Sequence, residues 1–123
     1  MKIPENYQTV MPYLIVENAA EFISFAQKVF GAKETHKTMR DENNIMHAEI
    51  MIGGSTIMFA DATEKFQVSN AGLFVYVDDA DETFKSALNN GGALVTELAN
   101  QPYGRSGGIK DPFGNVWWIT SSR

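Results

Sequence analysis

The sequence predicts an α+β fold built from two tandem β-α-β-β-β modules that form a curved, cup-shaped mixed sheet. Two stretches about 61 residues apart run alike: residues 13–21 read YLIVENAAE, and residues 74–82 read FVYVDDADE. In each, an apolar strand leads to an Asx residue and, three residues later, to a glutamate. A repeat this long in a chain of 123 residues indicates two copies of one unit. We expect a single domain over residues 1–123, with modules at about 8–60 and 70–122.

The first module begins with residues 9–16 (TVMPYLIV), whose β-forming side chains predict a strand. Asn18 and Glu21 have the spacing of a capping box and predict a helix that begins there. Apolar residues at helical intervals follow, and Gly31 is typical of a helix end. The remaining predicted elements are a charged strand over 33–40, a turn over 41–44, and a hairpin of strands over 45–52 and 55–60.

The second module follows a polar linker at residues 61–70. Asp79 and Glu82 repeat the capping-box spacing and predict the second helix, which ends at the Asn-Asn-Gly-Gly run of residues 89–92. One helix cannot cover both faces of four strands, so the other face must curl into a cup or be buried by the twin module. The predicted strands of this module cover 72–77, 93–97, 105–110 and 116–120, with a loop through Pro102.

Composition excludes several classes of protein. The chain has no cysteine, which rules out disulfides, thiolate metal sites and cysteine nucleophiles. No apolar run reaches the ~18 residues of a membrane span, and residues 1–8 lack the apolar core of a signal peptide. The net charge of −5, without a basic cluster, argues against nucleic acid and favours a cationic or neutral ligand, although acidity can serve solubility alone. We expect a cytoplasmic protein without nucleic-acid or membrane partners.

Two segments carry a resemblance to a known family. They are residues 16–32 and residues 110–117 (KDPFGNVW), and with the paired modules they resemble the vicinal oxygen chelate superfamily of glyoxalases, bleomycin-resistance proteins and dioxygenases. Residues 11–14 (MPYL) and 46–49 (MHAE) are similar to its PhnB-like branch. The resemblance covers essentially the whole chain and implies a cup-shaped cleft and a homodimer. It does not determine the reaction, because one fold carries many chemistries.

The resemblance also implies where a metal would be held, at the first and last strands of each module. In this sequence those positions are occupied by Met11, Met58, Gly72 and Trp118. None of these residues supplies the carboxylate, imidazole or thiolate that divalent metals prefer. We therefore expect no cofactor, with a divalent metal at an unconventional site as the alternative.

His47 and Glu49 are the candidate catalytic residues. They lie two positions apart on a predicted strand and therefore share one face, which the resemblance places toward the cup. The same alternation places Met46, Ala48, Ile50 and Ile52 on the opposite face, which the resemblance places toward the helix. The pair could ligate a metal or act as a base and the group that orients it. It could equally be a hydrogen-bonded pair that only tunes the polarity of a pocket.

Strand parity predicts an aromatic cleft with a few polar side chains. Aromatic faces stack well on planar or cationic ligands, although several of these rings could instead fill the core between the modules. We interpret the glycine-bearing segment 104–108 as a flexible lid. The predicted ligand-binding residues are Tyr13, His47, Glu49, Phe74, Tyr76, Tyr103, Arg105 and Trp118.

These observations favour a metal-independent small-molecule binding protein that holds a planar or cationic ligand in the aromatic cleft, similar to bleomycin-resistance proteins that sequester their ligand. The alternative is a metal-dependent lyase, isomerase or dioxygenase of the same superfamily, using a site around His47 and Glu49. A third possibility is a purely structural or regulatory module. The sequence leaves open whether any reaction is catalysed, and it does not identify the ligand.

Overall fold

The computed structural model of the chain describes residues 1–122. These residues form two compact units. The first unit comprises Met1–Gln27 and Gly31–Asn70, and the second comprises Lys28–Phe30 and the chain from Ala71 onward. Each unit contains its own four-stranded mixed sheet, so the predicted α+β fold of two tandem β-α-β-β-β modules is confirmed. None of the helices in the described part of the chain has the length and apolar character needed to cross a membrane.

The first module has its sheet in the order β1-β4-β3-β2, with β1 parallel to β4 and the other pairs antiparallel. Its helix buries an apolar stripe against one sheet face, where the ring of Phe22 meets that of Phe59 edge-on at 4.9 Å between centroids. The opposite sheet face is therefore free to carry polar side chains. The elements are β1 (Tyr13–Val16), α1 (Ala19–Phe30), β2 (Lys33–Met39), β3 (Ile45–Ile52) and β4 (Ser55–Asp61).

The second module repeats this topology, with the sheet order β5-β8-β7-β6 and β5 parallel to β8. Trp117 and Ile119 are fully buried in its core, and Phe84 of the helix packs directly over Gly107. The helix again covers one sheet face only. The elements are β5 (Gly72–Tyr76), α2 (Ala80–Asn89), β6 (Ala93–Gln101), β7 (Gly104–Lys110) and β8 (Val116–Ser121).

The segment between β6 and β8 differs from the prediction. β6 does not stop at residue 97 but continues to Gln101, and a tight turn at Pro102 and Tyr103 leads straight into β7. Residues 104–108 therefore belong to an inner strand of the sheet, and the prediction of a flexible lid is wrong. The alternation of β6 was hard to recognise because its pairing with β7 shifts register twice, between Leu94 and Thr96 and again before Ala99.

The two helices begin differently. The Asp79 side chain accepts a hydrogen bond from the Glu82 backbone N–H at 3.2 Å, as the capping box predicts. Asn18 instead has a left-handed backbone, and its side chain makes no cap. The first free N–H of α1, on Ala19, donates to the Asp61 carboxylate at 2.8 Å. The predicted capping box at Asn18 is wrong because this carboxylate at the end of β4 takes its place.

The Asp-Pro-Phe-Gly-Asn segment that carries part of the family resemblance is a structural turn. Buried Asp111 accepts hydrogen bonds from the backbone N–H groups of Phe113 and Asn115, each at 2.9 Å. Its second oxygen accepts the indole N–H of Trp117 at 2.8 Å. The side-chain oxygen of Asn115 in turn accepts the N–H of Ala71 at 3.0 Å. These residues order the approach to β5 and β8.

Candidate functional site

Four side chains of the first module form a continuous row of hydrogen bonds, the polar chain Tyr7–Glu49–His47–Tyr13. One Glu49 oxygen accepts the Tyr7 hydroxyl at 2.7 Å, and the other lies 2.7 Å from His47 Nε2. The second ring nitrogen of His47, Nδ1, lies 2.8 Å from the Tyr13 hydroxyl. Glu49 is only 5% exposed, whereas Tyr13 is 48% exposed. The polar chain therefore leads from a buried carboxylate to an accessible phenol.

Strand pairing explains why three members of the polar chain meet. Met58 of β4 pairs with Tyr13 on one side and with Glu49 on the other, which puts these two side chains on the same sheet face. His47 shares that face because it lies two residues before Glu49 on β3. The structure thus brings together three of the residues predicted from the sequence.

Tyr7 is the member of the polar chain that sequence reasoning missed. It lies ahead of the first strand, in a segment fixed by its neighbours: the Gln8 side-chain amide donates to the Thr56 carbonyl at 2.9 Å, and the Thr56 hydroxyl donates to the Asn6 carbonyl. This anchoring joins residues about 48–50 positions apart in the chain. No periodic pattern precedes it, so only the tertiary structure reveals that Tyr7 covers the carboxylate.

The surroundings of Glu49 keep it ionised. Burial acts to raise the pKa of its carboxyl group, but the hydrogen bonds from Tyr7 and His47 outweigh burial and hold the pKa below its ordinary value of 4.5. The hydrogen bond between Tyr7 and Glu49 also raises the pKa of the Tyr7 hydroxyl. The pKa of the Tyr13 hydroxyl is raised by burial and, to a smaller extent, by the charge on Glu49. An ionised Glu49 and two protonated tyrosines follow.

An ionised Glu49 fixes the direction of the hydrogen bonds. A carboxylate only accepts, so His47 must carry a proton on Nε2, and in the neutral ring Nδ1 is then an acceptor for the Tyr13 hydroxyl. The Tyr13 oxygen still has lone pairs to offer to a ligand. The arrangement can therefore accept a hydrogen bond at Tyr13 or pass a proton from Tyr13 to His47.

A cavity of about 510 Å³, here called the first-module pocket, opens beside Tyr13. Its walls are mainly apolar, and its polar groups come from the ends of β2 and β4 and from the segment that follows β4. Tyr13 is the one residue that belongs both to this pocket and to the polar chain. The lining residues are Tyr13, Ile15, Arg40, Met46, Ala60, Asp61, Thr63, Lys65 and Phe66.

Met46 lines this pocket, which corrects its predicted orientation toward the helix. In the pairing of β2 with β3, Thr38 is opposite His47 and Met39 is opposite Ile45, so Met46 is skipped. This β-bulge turns Met46 outward, where it is 51% exposed, while Ile45 takes the buried position at 1% exposure. The alternation from His47 onward is as predicted.

The three charged pocket residues lie in segments where the sequence predicted a strand or a linker and no site residue. Asp61 is buried, and its two carboxylate oxygens accept the N–H groups of Ala19 at 2.8 Å and Ile45 at 2.6 Å. Arg40 donates from Nη2 to the Asp61 carbonyl at 3.1 Å, and the Lys65 ammonium lies 5.4 Å from the centre of its neighbouring phenyl ring. The large apolar side chain of Phe66 within the polar run 61–70 is a signal that this run is more than a linker.

The predicted aromatic residues of the second module form an exposed patch on the sheet face opposite α2. The Phe74 ring meets Tyr76 edge-on at 5.2 Å and Tyr103 at 6.3 Å between centroids. Trp118, the strand partner of Phe74, lies over Gly108 and is 36% exposed. Phe74, Tyr76 and Tyr103 are each more than half exposed.

Arg105 does not share this face. Its guanidinium forms two hydrogen bonds with Asp81 of α2, at 2.8 and 3.0 Å, and a third with Asn100 at 3.2 Å. Gly107, two positions along β7, meets Phe84 of the same helix, so this parity of β7 faces α2. The predicted placement of Arg105 in the cleft is therefore wrong, because its side chain lies on the sheet face that α2 covers. The hydrogen bonds that Arg105 donates to Asp81 raise the pKa of Arg105 and lower the pKa of Asp81.

The donor set of the first module does not fit a metal ion. Among residues 1–122, no group of three or more His, Cys, Asp or Glu side chains is arranged to hold one. His47 and Glu49 bond to each other, and the nearby His36, whose ring centre lies 5.8 Å from that of His47, bonds to Thr38. The predicted absence of a metal stays a prediction, and the family positions Met58 and Trp118 remain poor ligands.

Comparison with known proteins shows the family to which this chain belongs. Residues 8–119 match the model of the Glyoxalase/Bleomycin resistance protein/Dioxygenase superfamily. The chain belongs to this superfamily. The predicted superfamily membership is thereby confirmed.

Its relatives show the family and the fold. An uncharacterized protein of Mycobacterium bovis is 34% identical over 118 residues, covering 86% of this chain and 78% of that one. TioX from Micromonospora sp. ML1 has a similar fold, with a TM-score of 0.74, 24% identity and coverage of 94% of this chain and 97% of that one. The PhnB protein from Bacillus cereus gives a TM-score of 0.72 at 21% identity, covering 94% of this chain and all of that one. The last likeness concerns the fold, so membership of the PhnB-like branch stays a prediction.

Proposed function

We propose that this superfamily member binds a small, planar and mostly apolar organic molecule in the first-module pocket without a metal ion. The observation that carries the proposal is the pocket itself: at about 510 Å³ it has the size and the apolar character of a ligand site. The exposed rings of Tyr13 and Phe66 can stack on a flat ligand. The polar chain behind Tyr13 fixes one hydrogen-bonding atom at the wall.

The first experiment is to fill the pocket. Replacing Ala60, which lines it, with Leu should lower the affinity for planar aromatic compounds at least about tenfold, since the side chain occupies ligand space. Ala99→Leu, at an exposed site on β6, is the matched control and should leave affinity unchanged. Titration calorimetry measures the affinity, and NMR shifts of the Ile15 and Ala60 methyl groups locate the ligand. Binding that survives Ala60→Leu in a folded protein would move the site elsewhere.

A second function is favoured by the polar chain, namely an enzyme of the lyase, isomerase or dioxygenase type. Glu49 orients His47, and His47 is hydrogen-bonded to a phenol at the pocket wall, the geometry of a base with its orienting group. Tyr13 could take a proton from a bound substrate while its own proton passes to His47. The metal-dependent form of this alternative lacks a third protein ligand within residues 1–122.

Two variants distinguish the functions. In an enzyme, Glu49→Gln and His47→Ala would abolish turnover and leave binding nearly unchanged. In a binding protein, the same variants would change affinity modestly, and no product would form with any ligand. Product analysis alongside calorimetry on the same samples separates these outcomes. The expected homodimer stays a prediction, and the exposed patch of Phe74, Tyr76 and Tyr103 supports it.

A further inference from the structure

We propose that the first-module pocket selects ligands with a negatively charged group, such as a carboxylate, which Arg40 and Lys65 recognise. This inference rests on the proposed function and adds the charge class of the ligand. It is the opposite of what the net charge of −5 suggested. Local charges decide recognition inside a pocket, because distant surface charges are screened over about 8–10 Å at physiological salt.

Arg40 is held with its head group at the pocket wall. Its backbone N–H donates to the Asn44 carbonyl at 2.8 Å, and its side chain donates from Nη2 to the Asp61 carbonyl at 3.1 Å. A guanidinium has five N–H donors in a planar fork suited to a carboxylate. No carboxylate among residues 1–122 forms an ion pair with Arg40. Donors therefore remain for a ligand, and the head group is already positioned.

The acidic residues close to Arg40 use their carboxylate oxygens to accept other hydrogen bonds. Both carboxylate oxygens of Asp61 accept backbone N–H groups, and the residue is only 6% exposed. One of those N–H groups begins α1, whose positive dipole end further compensates the carboxylate. Asp41 is engaged by the N–H groups of Asn43 and Asn44, both at 2.9 Å. The charge of Arg40 helps to lower the pKa of Asp41, but neither carboxylate forms an ion pair with Arg40, so its guanidinium keeps donors for an incoming anion.

Lys65 adds a second positive charge beside an apolar surface. Its ammonium lies 5.4 Å from the Phe66 ring centre, and both residues line the pocket. No ion pair involves Lys65 in the described part of the chain. Apolar walls at Ile15 and Met46 with two cations at the edge suit a molecule with a flat apolar body and an acidic head.

Three compounds of nearly identical shape test this inference. They are naphthalene-2-carboxylate, its neutral carboxamide, and the cationic naphthalen-2-ylmethylammonium. Calorimetry on the full chain should show the carboxylate binding tightest and the ammonium weakest. Raising NaCl from 0.05 to 0.5 M should weaken the carboxylate and leave the carboxamide nearly unchanged, because salt screens only the charge interaction.

Variants assign the selectivity to residues. Arg40→Met should weaken the carboxylate about tenfold, the scale of a lost charge-assisted hydrogen bond, and change the carboxamide little. Lys65→Met should weaken the carboxylate by a smaller factor of about three, since an exposed charge contributes less. Lys85→Met, an exposed lysine on α2, makes the same charge change outside the pocket and is the matched control. Arg40→Lys should restore part of the loss.

The outcomes separate the two proposals. Equal binding of carboxylate and carboxamide, or tighter binding of the ammonium, overturns the charge inference and leaves the pocket as a ligand site. Loss of selectivity in Lys85→Met to the same degree as in Lys65→Met also overturns it. Binding of all three compounds that Ala60→Leu does not affect contradicts the proposed function itself.

Discussion

The two modules share one topology and differ on the sheet face that the helix leaves uncovered. In the first module, Glu49 on β3 pairs with Met58 on β4; in the second, the corresponding pair is Gly108 and Trp118. A Cβ placed on Gly108 would lie 2.5 Å from Cζ3 of Trp118. The second module thus has a glycine where the first has the buried Glu49 carboxylate, and the Trp118 indole lies over that glycine.

The second module's face therefore lacks the carboxylate and the imidazole of the first. Phe74 stands where the first module has Tyr13, and it has no hydroxyl. Ser106 and Thr120 form a buried hydroxyl pair at 2.7 Å in place of an imidazole. The comparison teaches that the two modules share a backbone topology but differ in side chains. The hydrogen-bonded carboxylate and imidazole lie in the first module, and the exposed aromatic patch lies in the second.

The largest expected effect concerns the two aspartate turns. Asp111→Ala should lower the free energy of unfolding by about 3–5 kcal/mol, since the Trp117 indole and two backbone N–H groups lose a buried acceptor. Asp41→Ala, in the turn between β2 and β3 of the first module, should cost far less, because water can replace an exposed acceptor. Urea unfolding followed by circular dichroism measures both. Equal losses of unfolding free energy in the two variants would contradict the inference that the Asp111 turn stabilises the fold more than the Asp41 turn.

The next prediction tests the pairing of Gly108 with Trp118 in the second module. Gly108→Ala should destabilise the protein by about 1–3 kcal/mol, because the new methyl group forces the Trp118 ring aside. Gly72→Ala lies in the same sheet with nothing within 4 Å of the added Cβ, so it should be close to neutral. The measurement is again urea unfolding. A neutral Gly108→Ala would show that the indole does not need the space.

A third prediction uses pH to test the buried carboxylate. Because its pKa in the folded state lies below the ordinary 4.5, Glu49 contributes stability that is present above about pH 4.5 and is lost as pH falls through the folded-state pKa. Glu49→Gln should cost about 1–2 kcal/mol at pH 7, with the difference from the wild type shrinking in acid. Tyr7→Phe should raise the pKa of Glu49 by removing a donor. NMR titration of the Glu49 carboxyl carbon checks the direction, and an unchanged pKa in Tyr7→Phe would refute the role of Tyr7.

The smallest effect is expected at the exposed end of the polar chain. Tyr13→Phe, which makes the first module like the second, should cost about 0.5 kcal/mol, since the hydroxyl lies at an accessible site. The reciprocal Phe74→Tyr should be neutral. The His47 ring signals should shift in Tyr13→Phe only, as NMR can show. A shift in both variants would mean that the two faces are less distinct than their side chains indicate.

Local patterns in the sequence account for much of the fold. The repeat, the strand alternation and the Asp79 cap predicted the modules, and parity placed His47, Glu49 and Tyr13 on one face, where they form hydrogen bonds. Parity failed at Met46 because a bulge inserts one residue into the ladder. It also placed Arg105 on the wrong face, because pairing register cannot be read from one strand.

The remaining site residues depend on contacts between distant parts of the chain. Tyr7 reaches Glu49 across 42 positions, and Asp61 caps α1 across the same separation. Arg40, Lys65 and Phe66 lie in or beside turns, where hydrophobic periodicity gives no information. Such residues become visible only when the strands that carry them are paired.

The uneven distribution of tryptophan confines the indole fluorescence to one strand of the second module. The chain has two tryptophans, Trp117 and Trp118, and both lie in β8, one fully buried and one partly open to solvent. Emission from the buried indole and quenching of the exposed one therefore both follow the second module. Opening confined to the polar chain and its pocket would leave β8 in place, and tyrosine or histidine NMR signals would record it.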